Sequence, residues 1–150
     1  MDHVADILHQ DDDHAVVLKP AGVSTHGRGR HHLSALLTRS TALPEGTKPI
    51  HRLDHGTRGS VLVAWNSEVM SAFQSQWPSI VKTYHSWVSG GGLPSAGCCG
   101  FPIDGKSSRS VFHVLGSRSW AVHGTASLVE WTIETGRTHQ IRRHAAAMGH

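Results

Sequence analysis

Apolar residues fall along this chain in short runs whose period changes several times, and the periods predict the elements. Residues 15–18 (AVVL) form an apolar run rich in β-branched side chains, stopped by Lys19-Pro20-Ala21-Gly22. The run predicts a buried strand and a turn. Leu33, Leu36 and Leu37 share one side of a short helix. Residues 44–49, bounded by two prolines, read as a linker. Residues 60–65 (SVLVAW) are apolar at nearly every position, the pattern of a central strand covered on both faces. Asn66 is placed to cap a helix over 67–77, with Met70, Phe73 and Trp77 on its inner side and Pro78 ending it.

The second half alternates. In 81–88 (VKTYHSWV), Val81, Thr83, His85 and Trp87 share one face of a strand, and Lys82, Tyr84, Ser86 and Val88 the other. Three glycines from Gly90 to Gly92 break it. Residues 110–115 predict another short strand. In 127–134 (SLVEWTIE), Val129, Trp131 and Ile133 point one way and Glu130, Thr132 and Glu134 the other, so one face is wet. Gly136 turns the chain. Thr138 is a plausible N-cap for a helix carrying Ile141, Ala145 and Met148 inward, with His139, Arg142 and Arg143 on or beside its open side. There is no internal repeat. The sum is a mixed α+β fold in one domain spanning 1–150, a largely antiparallel sheet with a few flanking helices.

Composition narrows the partners. A chain of 150 residues can enclose a core, and an apolar share of 38% excludes a disordered chain. The formal charge is only +3 but is unevenly spread. Asp11, Asp12 and Asp13 lie near the start, whereas Arg137, Arg142 and Arg143 lie near the end with His139 and His144 among them. Such a basic stretch suits an anionic partner, most commonly nucleic acid, or forms a solvated face. The two cysteines, Cys98 and Cys99, are adjacent, which makes no disulfide framework and implies a reducing compartment. The acidic start carries no signal-peptide pattern, and no run approaches the ~20 apolar residues of a membrane helix. The expectation is a soluble, cytoplasmic protein with no membrane partner.

The candidate chemistry centres on residues 51–59, HRLDHGTRG. Asp54 stands alone there; the next acids along the chain are Glu45 and Glu68. It can be an ion-pair member tethering a loop, a metal ligand or a nucleophile. His51 and His55 would share a helical face, but Pro49 and Gly56 leave room for at most one turn, and Arg52 stands where the familiar zinc signature has Glu. As a carboxylate at neutral pH, Asp54 is a reasonable nucleophile for a glycosidic carbon. A two-carboxylate glycosidase needs a second acid; Glu130 and Glu134 are conceivable, but the alternation makes them an ordinary solvated strand face. Tyr84, the single tyrosine, is a core aromatic, a stacking platform for a base or a proton donor or acceptor beside Asp54. In 135–150, TGRTHQIRRHAAAMGH, Arg137, His139, Gln140 and Arg142 gather at a helix start, which suits phosphate and ribose contacts. One arginine could instead pair with Asp54.

Four of these blocks, in order, resemble the RluA-type pseudouridine synthases: VVLKPAGVSTHG, HRLDHGTRGSVLVA, KTYHSWVSG and SLVEWTIETGRTHQIRRHAAAMGH. The resemblance covers nearly the whole chain. It implies isomerisation of uridine in ribosomal or transfer RNA to pseudouridine, with neither metal nor small-molecule cofactor; a monomer is expected. It makes Asp54 the catalytic aspartate, Tyr84 the tyrosine against the target base, Arg142 the basic partner of the aspartate and Arg52 an arginine that holds the site once the base is displaced. The family pattern continues beyond a Gly-His like the one at 149–150, so C-terminal strands are expected to be missing. Arg58 stands where Ser is commoner, and Ser108 and Ser110 replace a more usual Lys-Ala-x-Thr pattern. No S4-like domain is expected before the blocks, so target choice is expected to rest on the catalytic domain and its loops, including 26–32. The rival readings are a non-catalytic RNA-binding module of the same fold and a metal-dependent hydrolase using the histidines.

Overall fold

The computed structural model describes residues 6–28, 31–120 and 124–150. The first residues of the acidic start, and Gly29 and Arg30 of the expected basic loop, lie outside the described residues. The chain divides into two compact units, 1–77 and 78–150.

The first unit is a four-stranded antiparallel sheet in the order β1-β2-β4-β3. Its strands are β1 (Asp6–Gln10), β2 (His14–Lys19), β3 (Lys48–Pro49) and β4 (Gly59–Ala64). The short helix α1 (Leu33–Thr38) buries Leu33, Leu36 and Leu37, as their spacing requires. Strand β4 is central, and Val61, Val63 and Ala64 are buried along it. In β2 the buried positions are Ala15, Val17 and Lys19, a strict period of two that places a lysine on the core face. The segment expected as a linker holds β3, which pairs with β4 through Lys48 and Pro49. Pro49 is tolerated because β3 is an edge. Asn66 caps helix α2 (Ser67–Gln76) by accepting from the Val69 amide at 2.8 Å. Trp77 then begins a single 3₁₀ turn, Trp77–Ser79.

The second unit is also a four-stranded antiparallel sheet, in the order β5-β8-β7-β6. It comprises β5 (Lys82–Ser89), β6 (Ala96–Cys99), β7 (Ser110–Trp120) and β8 (Gly124–Ile133), followed by α3 (Gln140–Ala147). Strand β5 alternates as its sequence predicts: Thr83, His85 and Trp87 are exposed, whereas Tyr84 and Ser86 are half-buried and Val88 is buried. Val88, Phe112, Val129, Trp131 and Ala145 form the core, with Tyr84, Ile141 and Met148 packed around it. Strand β7 runs past the expected end at 115 because a register shift between Val114 and Gly116 lets its pairing with β8 continue. Strand β6 (AGCC) lacks the β-branched residues that mark a strand and is made by its partner β7. Both cysteines in it are free thiols, Cys98 exposed and Cys99 buried.

The start of α3 corrects one expectation. The N-cap is His139, in the left-handed conformation at φ 53°, and not Thr138. No side chain caps the helix there; Gln140 instead reaches back to the turn before it. Among the described residues, no helix is long and apolar enough to cross a membrane.

Gly97 sits opposite Phe112, and a Cβ at residue 97 would lie 2.8 Å from the ring's Cζ. Phe112 is itself buried in the core and cannot swing away. Gly97→Ala is expected to destabilise the protein by about 1–3 kcal/mol, read as a lower midpoint in urea unfolding.

Candidate active site

Asp54 is half-buried on the loop between β3 and β4, and the backbone on both sides of it is tied down. On one side, the buried Thr25 hydroxyl donates to the Leu53 carbonyl and accepts from the Leu53 amide, each at 3.0 Å. On the other, the His55 carbonyl accepts from the Gly22 amide at 2.9 Å and from the Lys19 ammonium at 3.5 Å. The same ammonium donates to the carbonyls of Pro20 at 2.9 Å and Val23 at 2.5 Å. Burial pushes Lys19 below the usual lysine range, and the attraction of the Asp54 carboxylate opposes that shift. The turn 20–23 and the Asp54 loop are thus fastened to one buried cation.

The histidines flanking Asp54 are engaged separately. His51 accepts the Leu62 amide on Nε2 at 3.1 Å and stacks on Trp77 with ring centroids 4.4 Å apart. His55 holds its Nδ1 3.3 Å from the Ser24 hydroxyl. Both rings thus contact the framework around the loop. Arg52 is exposed on the same loop. Its charge reaches His26: burial, Arg52 and His32 together hold that imidazole below its usual range.

In the second unit, Tyr84 is half-buried on β5, opposite Trp131 on β8. Arg142 is exposed on α3, next to Ile141, which packs on the same core as Tyr84. His139 is exposed at the helix start, and Arg137 is half-buried with its Nε donating to the Ser107 carbonyl at 3.0 Å. Gln140 is not on the open face. It is buried, and its side chain is fully engaged: Oε1 accepts from the Thr135 hydroxyl and the Arg137 amide, while Nε2 donates to the Arg109 carbonyl and the Ser110 hydroxyl. An amide with both oxygen and nitrogen so occupied braces the turn and has no donor left for a phosphate. His144, grouped by sequence with the basic stretch, is wholly buried against Ser108, Ser110 and the Phe101 carbonyl. Arg143 is exposed but pairs with Asp104 at 2.9 Å.

Glu130 and Glu134 are surface groups with side-chain partners. Glu130 faces His85 at 3.0 Å and Glu134 faces Arg109 at 2.8 Å. The hydrogen bond to Glu134, then its charge, raises the Arg109 pKa above its already high value.

The residues that sequence reasoning missed are the braces. Lys19 was legible as a lysine in phase with Ala15 and Val17, and a lysine on a core face must find acceptors. Thr25 carries no such signal.

Residues 13–147 match the family described as RNA pseudouridylate synthase. The chain belongs to that family. An uncharacterized RNA pseudouridine synthase from Mycobacterium tuberculosis is 33% identical over 96% of this chain and 53% of its own length. The dual-specificity RNA pseudouridine synthase RluA of Escherichia coli is 32% identical over 96% of this chain and 72% of its own length. The structure of human RNA Pseudouridylate Synthase Domain Containing 1 superposes with a TM-score of 0.83 at 24% identity, covering 97% of this chain and 66% of that one, and so shares the fold. The chain spans about half the length of the mycobacterial relative.

Thr25→Val removes the hydroxyl that bonds Leu53 twice and leaves a buried amide and carbonyl unpaired. The expected cost is about 2 kcal/mol in urea unfolding, larger than for Ser34→Ala at the more open start of α1.

Proposed function

We propose that this chain isomerises uridine in RNA to pseudouridine, with Asp54 as the catalytic carboxylate. The observation that carries the reading is the bracing of the Asp54 loop: the residues immediately before and after the carboxylate are each held by buried side chains. Holding a reacting group in the right geometry lowers the barrier to its reaction. Membership of the family supplies the reaction class.

In that reaction the N1–C1′ bond of uridine breaks, the base rotates and a C5–C1′ bond forms. The hydrogen on C5 leaves as a proton and N1 gains one, so atoms and charge balance without an oxidant or donor. Asp54 acts by attacking C1′ or by taking a proton from the sugar to give a glycal. The chemistry is redox-neutral, so the proposal requires no metal and no small-molecule cofactor. Family resemblance gives Tyr84 the face of the target base, Arg142 the charge of the aspartate and Arg52 the displaced-base state. Arg137 and His139 fall to the RNA backbone, and Gln140 becomes a positioning residue that sets the start of α3. The substrate is ribosomal or transfer RNA, whose uridine must unstack at a cost of a few kcal/mol, offset by phosphate contacts. Two free thiols support a reducing, cytoplasmic setting, and we propose that the protein acts there as a monomer.

Transfer and ribosomal RNA transcripts carrying tritium at uridine C5 provide the test. The wild-type chain is expected to release tritium to water, and Asp54→Asn to release none while still binding the RNA. Release by both proteins would remove Asp54 from the chemistry. Release by neither, from folded protein that binds RNA, would leave the non-catalytic binding module as the reading.

A further inference from the structure

We propose that the end of the β1–β2 hairpin is a binding site for one divalent transition-metal ion, held by His9, Asp11 and His14. One ligand atom from each of these residues lies within 4.8 Å of the other two. The backbone builds this arrangement. Gln10 pairs with Ala15, and the Asp11 amide donates to the His14 carbonyl at 2.9 Å, so Asp11 and His14 face each other across the turn. His9 precedes Asp11 by two residues and so shares its face. A register shift between Ile7 and His9 sets that phase.

The site has supporting contacts beyond its three ligands. The Asp13 carboxylate lies 2.6 Å from Nδ1 of His14. A carboxylate on one ring nitrogen fixes the tautomer and makes the other a better ligand, the usual outer partner of a metal-bound histidine. The same ring meets the edge of Phe73 from α2, with centroids 5.1 Å apart. The Asp12 amide donates to Oδ1 of Asp11 at 2.8 Å, which orients that carboxylate and leaves its second oxygen. The His9 ring lies 6.3 Å from that of His14.

The donor set selects the ion. Two imidazoles and one carboxylate suit zinc, nickel or copper(II), whereas calcium and magnesium prefer all-oxygen shells. A tetrahedral zinc ion with bonds of about 2.0–2.2 Å spaces its ligands roughly 3.4 Å apart, so modest side-chain rotations close the site. Three protein ligands leave a fourth position to water. The site lies at the end of β2 paired with Ala64, whereas Lys19, which fastens the Asp54 loop, lies at the end paired with Gly59. The metal therefore serves the hairpin and takes no part in uridine chemistry, and it stands whether or not the chain is a synthase.

The test uses the full chain stripped with a chelator, titrated with Zn²⁺ by calorimetry and with Co²⁺ by visible absorption. The chain has 14 histidines, so the comparison is with His9→Ala, an exposed position whose loss leaves the fold intact. Wild type is expected to bind one Zn²⁺ in its tightest class and to give a Co²⁺ d–d band. His9→Ala should lose both, and Asp13→Asn should weaken Zn²⁺ about tenfold. The same stoichiometry and affinity in His9→Ala, or no saturable Zn²⁺ binding by the wild type, would overturn the site.

Discussion

A single buried ammonium organises the first unit. Lys19 lies wholly inside, on the core face of β2, and a cation there must be surrounded by acceptors. It finds them in three main-chain carbonyls, from Pro20, Val23 and His55, and in the field of the Asp54 carboxylate. Because two of the carbonyls lie in the turn after β2 and the third follows Asp54, satisfying one charge fixes two loops at once. The antiparallel pairing of β2 with β4 brings those loops to the same end of the sheet, with Lys19 opposite Gly59. The KPAG turn and the HRLD loop are thus two halves of one electrostatic device, although they lie far apart in sequence.

The second unit solves a similar problem with a network of side chains. Under α3, Gln140, His144, Ser108 and Ser110 form a buried polar network. One tautomer satisfies it: Gln140 Nε2 donates to the Ser110 hydroxyl, which donates to His144 Nδ1, and His144 Nε2 donates to the Phe101 carbonyl. None of the buried side-chain polar atoms among the described residues lacks a partner. Such a network fixes the rotation of α3 about its own axis more narrowly than apolar packing does. The exposed arginines of the helix inherit that definition.

Periodicity read from the sequence located the elements where one face is buried and the other wet, as in β5, β8 and α1. It failed where tertiary pairing supplies the strand. AGCC and Lys48-Pro49 have no strand pattern of their own and take extended form from β7 and β4. The residues proposed for the chemistry, Asp54, Tyr84 and Arg142, were legible because they stand in recognisable blocks. Their supports were less so. Gln140 and His144 look like surface polar residues in a basic stretch, and only the fold shows that their side chains turn inward. Hydrogen bonds between residues 28 positions apart, as between Thr25 and Leu53, leave no local trace.

The stacking of His51 on Trp77 couples the Asp54 loop to an indole in another element. Imidazole, and imidazolium above all, quenches indole emission on contact. The chain has five tryptophans, so the signal is the difference in emission between the protein and its Trp77→Phe variant, and it reports whether the loop bearing Asp54 is seated or displaced, with no dye attached.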